Sequence, residues 1–162
     1  MNNVGDFERD LERAYAQKII PKFLEFHKSV VLRAYQIIIR DSRDVGLAHG
    51  SPVWSGRFRA SHNVSIGVVD GDVASPNPAA QFVRWPTPPD TILNAKGVAY
   101  VSAVLSKLRP FDIVYISNSL PYARKIEAGG FSLKAPNGVY QVAANTLKVQ
   151  LQTSGRLVGF IE

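Results

Sequence analysis

The sequence contains no cysteine. That absence excludes a disulfide framework, a thiolate metal site and a cysteine nucleophile, and it fits a reducing cytosol. It also lacks any apolar run of about 18 residues, and its first ten residues lack the apolar stretch of a secretory signal, so neither a membrane span nor export is expected. Neither phosphate-cradling pattern, Gly-x-x-x-x-Gly-Lys-Ser/Thr or a post-strand Gly-x-Gly-x-x-Gly, occurs. A Gly-x-Ser-x-Gly elbow is missing too, and His27, His49 and His62 share no ligand spacing such as His-x-x-x-His. Each histidine is therefore expected in a surface or packing role, and neither a cofactor nor a metal is expected.

What remains is ordinary for a folded chain: 162 residues, 46% hydrophobic and 20% charged. That length suits one domain, large enough to bury about two-thirds of its unfolded surface. The net charge of +6 is spread out, with seven bases and six acids in 1–41, seven and four in 42–109, and five and three in 110–162. A diffuse positive balance could favour DNA if copies surrounded a duplex, but no helix carries the Arg/Asn/Gln cluster of base readout.

From Phe7 to Ile38 apolar residues recur three or four apart, which predicts one long helix running to about Asp41. Asp6, Glu8, Asp10 and Glu12 lie at its start, where the helix dipole favours negative charge. Pro21 lacks an N–H and crowds the preceding turn, predicting a kink or two helices of about fifteen and twenty residues. A helical turn is expected over 55–61. Val64, Ile66 and Val68 alternate with Asn63, Ser65 and Gly67, predicting a strand with one buried face and a turn at Asp70-Gly71-Asp72. A short second strand could start at Val73.

Five prolines in 75–91 argue against a helix and against a central strand there, and leave a long loop holding Phe82 and Trp85, which either folds back or reaches a neighbour. Gly97–Leu108 predicts an amphipathic helix, and 112–117 a strand central to a sheet. Leu120–Glu127 predicts a short helix with Pro121 at its first position, stopped by Gly129 and Gly130. Pro136-Asn137-Gly138 reads as a turn. Residues 142–151 suit a helix, with a strand left open for 149–160.

The segment from Asn118 to Gly130 has the polar density of an active site but no nucleophile or metal set. Asn118 suits a turn or cap, Tyr122 a buried ring with a paired hydroxyl, and Glu127 an ion pair with Arg124 or with a base across a subunit contact. The segment reads as a strand, short helix and glycine stop that aim the loop 131–138.

Two stretches carry a resemblance. Val114-Tyr115-Ile116-Ser117-Asn118-Ser119-Leu120-Pro121-Tyr122-Ala123, with Ile126-Glu127-Ala128-Gly129 and then Ala135-Pro136-Asn137-Gly138-Val139, resembles the neck and tail-completion proteins of long-tailed bacteriophages, the HK97 gp10-like family. Ser51-Pro52-Val53-Trp54-Ser55-Gly56-Arg57-Phe58-Arg59-Ala60-Ser61 is similar to that family's Thr-Pro-Val-Asp-Thr-Gly-Arg-Leu-Arg-Ala-Ser, departing from it at Trp54-Ser55. The resemblance covers roughly residues 20–150.

It implies a structural virion protein at the head-to-tail junction. Copies would form a ring, a hexamer or dodecamer, between head-closure or connector proteins and the tail tube, with double-stranded DNA passing through. A tail terminator capping the tube is the alternative within that class. Ring closure needs two unlike patches per subunit, and the candidates are the long helix with the 75–91 loop, and the 118–138 segment.

The expectation is an α+β fold: a long N-terminal helix packed on a small, mostly antiparallel sheet, with short helices between strands, in one domain over 1–162. Arg57 and Arg59 would pair with acids or line the lumen. Trp85 would anchor the long loop, and Asn118, Tyr122, Arg124, Glu127, Gly129, Pro136 and Gly138 would shape the 118–138 element. Rival readings are a hydrolase of cell wall or nucleic acid using Glu127, and a nonspecific DNA-binding module.

Overall fold

The three-and-four spacing of apolar residues becomes a helical arm in the computed structural model, which describes residues 4–39, 51, 57–72 and 90–154. The arm comprises α1 (Val4–Ala14), a π-helical turn (Tyr15–Ile19) and α2 (Ile20–Ile39). The proline expected to kink or split the helix has a subtler effect. Ile20 N–H donates five residues back to the carbonyl of Tyr15, so the backbone widens just before Pro21, whose ring would crowd a tight α-turn.

Beyond the arm come α3 (Arg57–Ala60), β1 (Asn63–Ile66), α4 (Asp90–Leu105), β2 (Val114–Ser117), α5 (Ala123–Glu127) and α6 (Tyr140–Ser154). The α+β architecture is the one expected, with a long N-terminal helix, shorter helices and a small antiparallel sheet. Pairing β1 with β2 sets Asn63 opposite Ser117, Val64 opposite Ile116, Ser65 opposite Tyr115 and Ile66 opposite Val114. The hydroxyl of Tyr100 on α4 donates to the Val64 carbonyl at 3.2 Å and accepts from the Val64 N–H at 3.3 Å, so a side chain satisfies the backbone that β2 leaves open.

Several elements differ from their sequence pattern. Gly67 has a φ of +81° and turns the chain out of β1, leaving Val68 exposed where alternation had placed it inside. The Asp70 turn forms as expected, its carboxylate accepting from the Asp72 N–H at 2.9 Å. Among the described residues β2, expected to be central to a sheet, pairs only with β1, and all its residues are half-buried. The helix expected to begin at Gly97 starts at Asp90, so the proline-rich stretch gives up its last two residues to α4. Helix α6 runs to Ser154, which excludes a strand over 149–154. The possible strand at Val73, the loop with Phe82 and Trp85, and residues 155–160 lie outside the described residues.

The core has two lobes divided by α2. Ile37 and Ile38 face Phe58, Leu120, Ala123, Ile126, Val139 and Ala143. Val31, Tyr35 and Ile39, four residues apart on another side of the helix, face Val64, Val101, Leu105 and Leu108. Among the described residues no helix is long and apolar enough to cross a membrane.

Helix α4 approaches α2 closely because Gly97 has no side chain. A Cβ there would stand 2.7 Å from the hydroxyl and 3.0 Å from Cε1 of Tyr35, a residue only 1% exposed and unable to step aside. Gly97→Ala is expected to lower unfolding stability by about 1–3 kcal/mol despite the better helix propensity of alanine, measured by urea denaturation.

Candidate functional site

The polar cluster of the 118–138 segment is built as a joint. Asn118 leaves β2 and uses both ends of its amide: Oδ1 accepts from the Leu120 N–H at 3.1 Å, and Nδ2 donates to the Phe58 carbonyl at 2.9 Å. The first bond makes a turn and the second ties it to α3. Pro121 sits in the following turn, closed by Ala123 N–H to the Leu120 carbonyl at 2.9 Å. The helix therefore begins at Ala123 rather than at Pro121, whose fixed φ serves the second position of that turn.

Glu127 is half-buried and faces backbone. One carboxylate oxygen accepts from the N–H groups of Val139 and Tyr140 at 2.8 and 2.9 Å, and the other from Gln141 at 2.9 Å. These groups open α6, where N–H donors have no partner within the helix and the dipole favours an anion. The ion pair expected with Arg124 is replaced by this cap, and Arg124 itself is exposed. The contact requires two close approaches. Gly129, at φ +78°, lets the Pro136 carbonyl come within 2.5 Å of where a Cβ would stand, and Gly138, at φ +79°, does the same for the Glu127 carbonyl. Pro136 lies in a turn closed by Gly138 N–H to the Ala135 carbonyl at 3.2 Å. The loop between carries Phe131, 60% exposed, and Leu133, 98% exposed.

Tyr122 precedes α5, with its ring 6.3 Å from that of Phe58 and its hydroxyl pKa raised mainly by burial. Arg57 is exposed, while Arg59 is 3% exposed and so turned away from any surface that a lumen could offer. Trp85 lies outside the described residues. The structure thus joins Asn118, Tyr122, Glu127, Gly129, Pro136 and Gly138 into one element.

A second polar group carried no sequence signal. Ser51, His62 and Tyr140 form a chain through the core, with Ser51 Oγ 2.8 Å from His62 Nε2 and His62 Nδ1 2.7 Å from the Tyr140 hydroxyl. A serine beside a histidine invites comparison with a nucleophile pair. Here, however, Ser51 Oγ donates to the Ile38 carbonyl at 2.6 Å. Its one proton being committed there, His62 Nε2–H donates to Ser51 and the Tyr140 hydroxyl donates to Nδ1. The imidazole is neutral and takes nothing from the serine, and Ser51 and His62 are both 0% exposed. This pair lacks the base and the access that attack requires. It secures a packing role for His62, which also meets the Phe58 ring edge to face at 5.1 Å.

Burial pushes the His62 pKa down to about 3, and burial, with Glu127 and Tyr35 nearby, pushes the Tyr140 hydroxyl up. A shallow hollow lined by Ile66, Gly67, Val104, Lys107, Arg109 and Asp112 brings one acid among its bases, and that carboxylate already accepts from the Arg109 N–H at 2.9 Å. Comparison with family models, with curated proteins and with solved structures finds no match to this chain. The phage resemblance accordingly rests on its motifs.

Two measurements probe these groups. Glu127→Ala leaves three N–H groups at a helix start without their acceptor and is expected to cost about 1–3 kcal/mol in urea denaturation, with Glu127→Gln losing less. Because the folded pKa of His62 is depressed, the unfolded chain binds the extra proton first. Its contribution is complete above the unfolded value near 6.5, declines as pH falls and levels off near 3, a span worth on the order of 5 kcal/mol. Thermal melts should show that decline. His62→Asn should be less stable at neutral pH yet flatter between pH 6.5 and 4.

Proposed function

We propose that this chain is a structural protein of the head-to-tail junction of a tailed bacteriophage, where copies assemble into a ring. The observation that carries the reading is the construction of the motif. The residues resembling the phage family, Asn118, Glu127, Gly129, Pro136 and Gly138, form turns, caps and close backbone approaches that hold a loop firmly and present Phe131 and Leu133 to solvent. Two apolar side chains on a well-braced loop suit insertion into a neighbouring subunit, because little ordering entropy is lost on docking.

This loop would be one of the two unlike patches that a closed ring needs. Its complement would be a hollow on the next copy or on an adjoining ring of connector or tail-tube protein. The diffuse positive balance suits DNA passage, since a lumen without dense phosphate neutralisation lets the duplex slide. The function is assembly rather than catalysis.

The test is electron microscopy of lysates from a phage whose copy of this gene is interrupted by an early stop codon. Separate filled heads and tails are expected; tails of abnormal length would point to a terminator instead, and normal infectious virions would overturn the assembly reading. Leu133→Asp should reproduce the joining defect while leaving the isolated chain as stable as the parent, because the side chain is almost wholly exposed.

A further inference from the structure

The arm carries a row of apolar side chains that the other described residues leave open. Val4, Phe7 and Leu11 precede Tyr15 in the row, and Ile19, Phe23 and Phe26 follow it, with exposures from 36% at Phe23 to 71% at Val4. No residue of α1 is buried. From Val4 to Phe26 the steps are 3, 4, 4, 4, 4 and 3 residues. The row therefore reads the same in both directions, with Tyr15 at its centre.

The π-turn keeps this row straight. An α-helix advances about 100° per residue, so Leu11 and Phe23, three four-residue steps apart, would drift about 120° around an unbroken helix. The extra residue accommodated by the turn at Tyr15–Ile19 takes back about 100°, leaving the two side chains within about 20°. One local widening thus relieves Pro21 and aligns the apolar row across the centre.

Charge follows the same symmetry. One position before each of five row residues stand Asp6, Asp10, Ala14, Lys18 and Lys22, four apart along a single flank. That flank is acidic toward the N-terminus and basic beyond the centre. Asp6 and Asp10 make only exposed pairs with Arg9 and Arg13 on their own helix, the kind that holds a carboxylate weakly. A lipid surface would favour basic residues along the flanks of such a helix; two aspartates at one end do not fit it.

At the base of the arm Phe111 extends the surface. It is 70% exposed, its ring centroid lies 5.2 Å from that of Phe23, and its φ of +68° is unusual for a bulky residue. By ordinary residue sizes the row and Phe111 expose on the order of 800 Å² per copy. Covering it on two copies would remove on the order of 1,600 Å² from water, the size of a standard stable interface.

We infer that the arm pairs with the arm of a second copy of this chain, antiparallel, about a two-fold axis at Tyr15. In that arrangement Phe7 packs against the partner's Phe23, Leu11 against the partner's Ile19, and Tyr15 against its own equivalent. This two-fold brings like flanks together, so Asp6 and Asp10 lie beside the partner's Lys22 and Lys18, and the same pairs recur on the other half. A parallel two-fold would instead bring unlike flanks together, setting Asp6 and Asp10 beside the partner's Glu8 and Glu12 and leaving Lys18 and Lys22 without an acid opposite. The contact is isologous and leaves the Phe131 loop free for contacts of another symmetry. It does not depend on the phage reading, since its test uses the purified chain alone.

Sedimentation equilibrium of the full chain tests the pairing. The parent should associate reversibly through a dimer in the micromolar range, and Leu11→Asp with Ile19→Asp should abolish that step without changing the circular dichroism of a fold whose core it does not touch. Asp6→Lys with Asp10→Lys, and separately Lys18→Glu with Lys22→Glu, should each weaken self-association at least about tenfold. Mixing the two charge variants should restore a heterodimer. A monomeric parent at 100 µM would overturn the inference, as would a dimer or larger assembly that keeps its mass in the Leu11/Ile19 variant. Charge variants that associate like the parent would overturn the antiparallel arrangement.

Discussion

A single carboxylate, that of Glu127, ties α5 to the start of α6. Its three backbone hydrogen bonds satisfy donors that would otherwise face a half-buried region, and they set the distance between the two helices. Both glycines of the intervening loop serve that distance, one beneath the Pro136 carbonyl and the other beneath that of Glu127. With α6 placed, the hydroxyl of its first residue, Tyr140, reaches His62, and through it Ser51 and the end of α2. One half-buried carboxylate thus fixes the register of polar contacts inside the fold, where an unsatisfied group would be costly.

This arrangement explains why a segment with the look of an active site works as structure. Asn118, Tyr122 and Glu127 are polar because three chain reversals occur within about twenty residues, each leaving backbone groups to satisfy. Phe131 and Leu133 stand open to solvent there, beside the exposed charges of Arg124, Lys125 and Lys134.

Local chemistry was legible in the sequence and distant chemistry was not. The Asn118 turn, the glycine stop and the Pro136 turn could be foreseen because residues one to three apart decide them. Glu127 was recognised as positioned, but its partners are main-chain N–H groups twelve to fourteen residues away, and a main-chain donor has no residue type to read. The Ser51, His62 and Tyr140 chain spans 89 residues of sequence between its ends, and nothing in the spacing of three unremarkable residues announces it. Alternation carried β1 too far, because a glycine at positive φ ends a strand without altering the apolar pattern. Helical periodicity found the arm but not its π-turn, since the same four-residue steps fit an α-helix that slowly rotates.

The division of the core by α2 has a consequence for how the molecule comes apart. Its last three turns contribute Ile37 and Ile38 to one lobe and Val31, Tyr35 and Ile39 to the other, so neither lobe can open while that stretch stays helical and covered. The two lobes should therefore exchange their amide hydrogens as one cooperative unit, with the most protected amides in α2, whereas α1 exchanges at the rate of an isolated helix until another surface covers it.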